Sequence, residues 1–487
     1  MNYKMMGRFI AQILSIEGLF MIPALIISLC GGTAAASMGF LIAMGIIAVL
    51  VLVLALICRG APSAFHAKEG LVCVGVSWIA MSLVGCLPFW ISREIPRFVD
   101  ALFEIISGFT TTGSSILSDV EALSAGILYW RSFSHWLGGM GVLVFLLAFT
   151  GGHGKGFTMH LLRAESPGPN VGKLVPKMRT TASILYLIYV GMTVLNIVLL
   201  LIGGMTPLEA VCNAFGTAGT GGFGVRNDSF ASYSPYLQIV TTVFMILFGV
   251  NFSCYYLILL RQFKGVFRDE ELRTYLGIIL VSILLIVLNL LPVAQELGYG
   301  STSETVKHAA FQVGSIITTT GFATTNYDLW PSFSKTILLC LMVVGACAGS
   351  TGGGLKVARL LLLIKGLRRN IRQMLNPRKV QVIRNNGQTV DEKILANTNA
   401  YFAAYVIILF AVFALVSLDG FSVGTNFSAA LCTFNNIGPG IEAVGPACNF
   451  SQYSDFSKIV FSFAMLAGRL EIFPILVLLS RSTWKKR

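Results

Sequence analysis

Four short stretches of this 487-residue chain set threonine, asparagine and glycine into otherwise apolar sequence. They are Thr110-Thr111-Thr112-Gly113, Gly219-Thr220-Gly221-Gly222, Thr318-Thr319-Thr320-Gly321 and Asn435-Asn436-Ile437-Gly438, with closing glycines 109, 99 and 117 residues apart. Non-helical backbone at membrane depth is tolerated only where protein buries it or where it lines a watery cavity. Four such turns around one axis would present rings of carbonyl oxygens able to replace the hydration shell of a monovalent cation. Glycine is needed where a positive φ aims a carbonyl at the axis, and threonine adds a hydroxyl ligand. Any single stretch reads as readily as a helix-packing turn. Four in phase argue for a filter.

Such turns need rigid elements behind them. Upstream of each glycine the sequence repeats without gaps: Asp100-Ala101-Leu102-Phe103-Glu104 matches Glu209-Ala210-Val211-Cys212-Asn213 and His308-Ala309-Ala310-Phe311-Gln312, with a weaker fourth copy, Thr425-Asn426-Phe427-Ser428-Ala429. Each copy has room for two to three helical turns, too few to cross a bilayer. Longer apolar runs flank them, near 10–30, 37–58, 70–91, 129–149, 183–204, 237–260, 273–293, 335–364, 398–418 and 456–479. The expected fold is an all-α polytopic membrane protein. Four pseudo-symmetric helix–pore-helix–filter-loop–helix repeats (70–150, 183–262, 273–366 and 398–481) surround one central pore, and residues 1–60 form an extra N-terminal helix pair.

Composition agrees. The chain is 55% hydrophobic and 12% charged, with mean hydropathy +0.77, outside the range of soluble domains. The first apolar run lacks a clear small-residue cleavage site and reads as a retained helix. The net charge of +13 comes largely from alternate connections, Lys155 to Arg179, Arg261 to Arg273, Lys365 to Lys393 and Arg481 to Arg487. Positive-inside bias explains that excess, makes those segments cytoplasmic, and removes the case for nucleic acid. The connections Gly151 to Thr181 (with Pro167, Pro169 and Pro176) and Lys365 to Asn397 (with Arg368, Arg369, Arg372, Arg378, Lys379 and Arg384) are either solvated loops or docking sites for a cytoplasmic partner.

Enzymatic readings fail. The ten cysteines form no C-x-x-C pair, and His66, His135, His153, His160 and His308 show no metal-ligand spacing. Gly219 to Gly224 fits G-x-G-x-x-G but follows no strand, and Gly349 to Lys356 misses the Walker A spacing. No nucleophile–base arrangement is visible.

Thr111-Thr112-Gly113, Thr220-Gly221-Gly222 and Thr319-Thr320-Gly321 fit T-x-G, the start of the potassium-channel signature T-V-G-Y-G, and Phe223 and Phe322 stand in place of its tyrosine. The fourth copy departs, with Asn436-Ile437-Gly438 followed by Pro439. The chain thus resembles the superfamily of potassium transporters that includes TrkH, TrkG, KtrB and fungal Trk proteins. Its extra helix pair favours the TrkH type. The resemblance covers nearly the whole chain and implies potassium uptake across the bacterial inner (cytoplasmic) membrane, K+ as the transported ion, and no organic cofactor in this chain. It also implies a lipid-embedded homodimer above a ring of cytoplasmic nucleotide-binding RCK-type (TrkA-like) regulatory subunits.

Two further features lie below the filter. Gly345-Ala346-Cys347-Ala348-Gly349-Ser350-Thr351-Gly352-Gly353-Gly354 interrupts the overlong eighth span, and five glycines cannot sustain a regular helix at low cost. The stretch is expected to cross the conduction path. The resemblance implies that it is an intramembrane gate, the alternative being a small-residue packing face. Arg469 sits inside the last span, where an arginine marks a functional site by default. Either it faces the pore as a barrier to cations, which the resemblance also implies, or it pairs with an acid between helices. A rival class, an alternating-access transporter coupled to sodium or protons, predicts inverted repeats, whereas these repeats run parallel.

Overall fold

The computed structural model describes residues 2–60, 67–141, 178–378 and 381–484. Six helices among these residues are long and apolar enough to cross a membrane. Two, Tyr3–Cys30 and Ala34–Ile57, form the N-terminal pair, and four, Lys68–Ile91, Ala182–Ile202, Glu270–Val293 and Glu392–Asp419, open the four repeats as outer helices. Much of Ala34–Ile57 is uncovered: Val49, Leu52, Leu56 and Ile57 are exposed. Apolar surface of this kind is matched to lipid, because water would oppose its exposure.

Each outer helix is followed by a short pore helix, and these are Phe98–Phe109, Pro207–Gly219, Thr302–Ile317 and Val423–Phe434. Their starts are encoded locally. Thr206 and Glu209 form a capping box, and the Ser301 and Ser422 side chains accept the backbone N–H groups of Glu304 and Thr425. The third begins at Thr302, six residues before the His308 at which its sequence match opens, so it is longer than the repeat alone indicates.

The inner helices are less regular than the apolar runs that contain them, in which a break is expected only in the eighth. Three are broken within the described residues: Pro235–Phe248 bends by 92° into Phe252–Leu259, Ser332–Val344 ends at Gly345, and Asp455–Arg469 restarts as Phe473–Leu479, while in the first repeat Ala125–Met140 ends at Gly141. The sequence announces only the break in the third repeat. At that in the fourth, Glu471 and Ile472 adopt φ of 59° and 64°, which no composition bias signals. Residues 142–149 of the expected fourth span, and most of the connection from Gly151 to Thr181, lie outside the described residues. The basic tract after Lys365 is not a bare loop, because helix Val357–Leu375 runs through it and a two-stranded hairpin, Arg384–Asn385 with Gln388–Thr389, follows.

Inner helices cross the ends of pore helices at backbone contact. A Cβ at Gly138 would stand 1.9 Å from the Phe109 carbonyl oxygen, and one at Gly468 would stand 1.9 Å from that of Phe434. Polar ties then run from repeat to repeat. Phe450 N–H donates to Ser115 O (2.8 Å), Phe230 N–H to Ala323 O (2.9 Å) and Tyr327 Oη to Gly440 O (2.8 Å). Lys458 of the fourth repeat reaches Asp100 of the first at 2.6 Å.

Candidate cation filter and gate

All four pore helices end alike. The N–H groups of Thr112, Gly221, Thr320 and Ile437 bond to carbonyls five residues back, on Ser107, Gly216, Ser315 and Cys432, at 2.8–2.9 Å. One residue earlier, Thr111, Thr220, Thr319 and Asn436 bond three residues back. This is the Schellman arrangement, whose turning residue is usually glycine. Here it is a threonine or asparagine with φ of 54°, 54°, 59° and 57°. A left-handed β-branched residue is strained by about 1–3 kcal/mol. The left-handed turn appears in all four copies, strained in the three threonines and readily adopted by Asn436, which ties it to what the turns share.

Two residues on, Gly113, Gly222, Gly321 and Gly438 return to positive φ, at 84°, 76°, 88° and 100°. The residue between stays on the negative side, so handedness alternates and successive carbonyls turn to one side of the strand. The strands close into a ring. A Cβ at Gly113 would meet the Gly221 carbonyl oxygen (2.1 Å), at Gly222 that of Thr320 (1.9 Å), at Gly321 that of Ile437 (2.1 Å), and at Gly438 that of Thr112 (2.8 Å). Each closing glycine thus faces the preceding residue of the next repeat, in the order one, two, three, four, one.

The side chains divide by position. Thr110 and Thr112 share a hydroxyl–hydroxyl bond of 2.8 Å, Thr318 and Thr320 one of 2.7 Å, and Asn435 is bonded to Tyr405, so these brace the turn. Thr220 donates to Gly219 O. Thr111 Oγ1 and Asn436 Oδ1 are buried without a hydrogen-bond partner. Oxygens left so are available to an ion. Ser114 Oγ bonds the Gly438 carbonyl at 3.0 Å, which makes the fourth copy unlike the others.

Behind the first two turns lies a buried ion pair, Glu104 with Arg131 at 2.7 Å. Glu104 also accepts Ser115 Oγ (2.8 Å) and Ile116 N–H (2.9 Å), while Arg131 donates to Gly224 O (3.1 Å) and lies 3.5 Å over the Phe223 ring. One pair thereby holds the strands that leave two filter turns. At the end of the molecule away from the basic connections, hydrogen bonds hold three carboxyls below the usual carboxylate range. They are Asp119 beside Asn227, Glu304 beside the Gly300 N–H, and Glu442 beside Ser422 and Thr425. Ionised carboxylates there raise the local cation concentration.

The glycine-rich segment lies directly against the inner end of the turns. A Cβ at Gly352 would stand 2.8 Å from the Thr318 carbonyl oxygen, and one at Gly353 2.4 Å from that of Asn435. Gly353 N–H donates to Thr319 Oγ1 at 2.6 Å. Cys347 N–H bonds Gly249 O and Gly349 O accepts Phe252 N–H, both at 3.0 Å, and Thr351 Oγ1 reaches Phe248 O at 3.3 Å, at the break of the second repeat. Glu271 accepts the N–H groups of Ala348 (2.5 Å) and Ala358 (3.2 Å), one on each limb. Ser350 Oγ closes onto Cys347 O, and Gly345, Gly349 and Gly354 take the positive φ values of the corners. Lys356 Nζ donates to Gly352 O.

Arg469 ends the first piece of the last inner helix. It donates to Thr351 O (2.8 Å), to Gly139 O (2.7 Å) and to Gly138 O, so it joins the segment to the first repeat. Glu471 pairs instead with Arg359. The four turns, the segment 345–354 and Arg469 thus lie against one another in the structure. Sequence reasoning missed Glu104, Arg131, His135, Glu271 and Lys356. Arg131 was legible by the rule that singled out Arg469, a lone charge in an apolar run.

A family model described as TrkH, cation transport protein, matches residues 36–486. The Trk system potassium uptake protein TrkH of Escherichia coli (strain K12) is 36% identical over 424 residues, 86% of each chain. TrkH of Halomonas elongata is 31% identical over 491 residues, 100% of each chain. The crystal structure of the potassium transporter TrkH from Vibrio parahaemolyticus superposes with a TM-score of 0.86 at 30% identity, covering 100% of both chains.

Proposed function

The chain belongs to the TrkH family of cation transport proteins, and from that premise we propose that it takes up potassium across the cell membrane through one pathway enclosed by its four turns. It is a membrane transporter, not an enzyme. Potassium dehydrates among the carbonyls of Thr110 to Gly113, Gly219 to Gly222, Thr318 to Gly321 and Asn435 to Gly438. The segment Gly345 to Gly354 closes the path below them, and Arg469 adds a positive barrier while tying that gate to the first repeat. The observation that carries this reading is the cyclic order of the four closing glycines. Four strands that each face the next can only enclose a shared axis.

The relatives' names place them in Trk systems, which supports association with regulatory subunits. The finer arrangement is a homodimer above a ring of nucleotide-binding RCK-type subunits. Its supporting surface is helix Val357–Leu375, where Arg368 and Arg372 are exposed beside exposed Leu367, Ile371 and Met374.

Growth at limiting potassium tests the reading. Cells stripped of their own potassium uptake should regain growth and potassium accumulation when they express this chain with a compatible regulatory subunit. Accumulation of sodium alone, or none despite correct insertion, would overturn it.

A further inference from the structure

His135 is fully buried on the inner helix of the first repeat, behind the second filter turn. Its Nδ1 lies 2.8 Å from the Gly108 carbonyl oxygen, which can only accept, so Nδ1 carries a proton. Its Nε2 lies 3.3 Å from the Phe223 nitrogen and accepts that N–H. The ring is therefore the neutral Nδ1–H tautomer, bridging the first pore helix and the second filter strand.

The second turn is also the one whose residue before the closing glycine has no side chain. Gly221 stands where the other turns carry Thr112, Thr320 and Ile437. A Cβ at Gly221 would lie 2.2 Å from His135 Cγ, so the imidazole occupies the space that a side chain fills elsewhere. The Phe223 ring packs on the imidazole with centroids 4.1 Å apart, and Arg131 covers Phe223. In a trans peptide the N–H and the preceding C=O point in opposite directions. A Phe223 N–H held by His135 behind the strand sends the Gly222 carbonyl the other way, toward the axis.

We propose that His135 is a positioning residue of the cation filter, fixing the Gly222 carbonyl as an ion ligand in the turn that lacks a bracing side chain. The proposal rests on the filter reading given above. It makes the filter's selectivity depend on one acceptor atom, Nε2, rather than on the bulk of the ring.

Amide replacements separate the two nitrogens. In His135→Gln the side-chain oxygen reaches the place of Nε2 and accepts the Phe223 N–H. In His135→Asn the amide reaches only the place of Nδ1, keeps the Gly108 bond, and leaves the Phe223 N–H unmet. Potassium and sodium fluxes are measured in proteoliposomes holding the full chain, with Gly321→Ser as a control. The expected result is a potassium-to-sodium ratio within about twofold of the original for Gln and about tenfold lower for Asn, the scale of one lost buried hydrogen bond. An Asn variant with the original ratio, or a Gln variant that falls as far as Asn, would overturn the proposal. If Gly321→Ser also leaves the ratio unchanged, the filter reading itself fails. If Gly321→Ser lowers the ratio and Asn does not, only the role of His135 fails. Should Asn not fold, imidazole nitrogen resonances of the original protein decide, assigned by difference from Gln. A neutral Nδ1–H tautomer is expected, and an Nε2–H tautomer or an imidazolium contradicts it.

Discussion

The threonines at this site are held in a conformation that they rarely adopt alone. Thr111, Thr220, Thr319 and Asn436 are left-handed because Schellman bonds on one side and glycine on the other leave them no alternative. The T-x-G pattern was legible in the sequence, but the strain was not, because threonine is a poor signal for positive φ. Glu104 and Arg131 escaped for a different reason: charges 27 residues apart carry no spacing signal, and only the fold brings them within 2.7 Å. Removing one partner of such a pair leaves a buried charge and costs about 3–5 kcal/mol. Arg131→Met or Glu104→Gln should therefore lower the melting temperature in detergent and weaken potassium selectivity, whereas replacing both together should recover much of the stability. Equal stability of the single variants would contradict the role given to the pair. Thr319→Val removes the acceptor of the Gly353 N–H, a buried bond whose loss costs about 1–3 kcal/mol. Leak through the closed protein should rise, and an unchanged leak would show that this bond does not hold the gate.

At the scale of elements, the outer helices and pore helices were readable and the inner helices were only partly so. Length and apolarity mark a span, and a sequence match marks a pore helix, but a helix break needs a local signal. Five glycines gave one at residues 345–354. The break at Gly249 to Asn251 and the one after Arg469 offer little composition to read, because tertiary bonds define them: Gly249 O to Cys347 N–H, and the Arg469 guanidinium to three carbonyls. The segment 345–354 of the third repeat is thus bonded to the second and fourth repeats, and Arg469 links it to the first. Deleting part of 347–353 should allow conduction without a regulatory subunit, and a pore still closed would remove the gate assignment. Arg469→Ala should raise flux in folded protein, because it removes both a positive charge and the clamp on Thr351. Unaltered or lower flux would count against both roles.

The whole molecule is a ring of four unequal units. Three turns read T-x-G and one reads N-x-G, the second lacks a side chain at Gly221, the third supplies the glycine-rich segment, and the fourth supplies Arg469. The near-even spacing of four polar turns was enough to foresee one axis, because parallel repeats of one helical unit have few other ways to bury polar backbone in a membrane. The asymmetry was legible as letters without a mechanism. Its reasons are three-dimensional, since His135 comes from the first repeat to fill a space in the second. Selectivity in such a ring is a collective property, and a fault in any one turn should be felt at the common axis.

The most direct test of that claim is the potassium-to-sodium flux ratio in proteoliposomes, with the two gradients varied separately and Gly113, Gly222, Gly321 and Gly438 each changed to serine in turn. Each serine meets a neighbouring carbonyl and a positive φ, so every one of the four variants should lose selectivity for potassium. If any folded variant keeps the original ratio, the four turns do not form one filter.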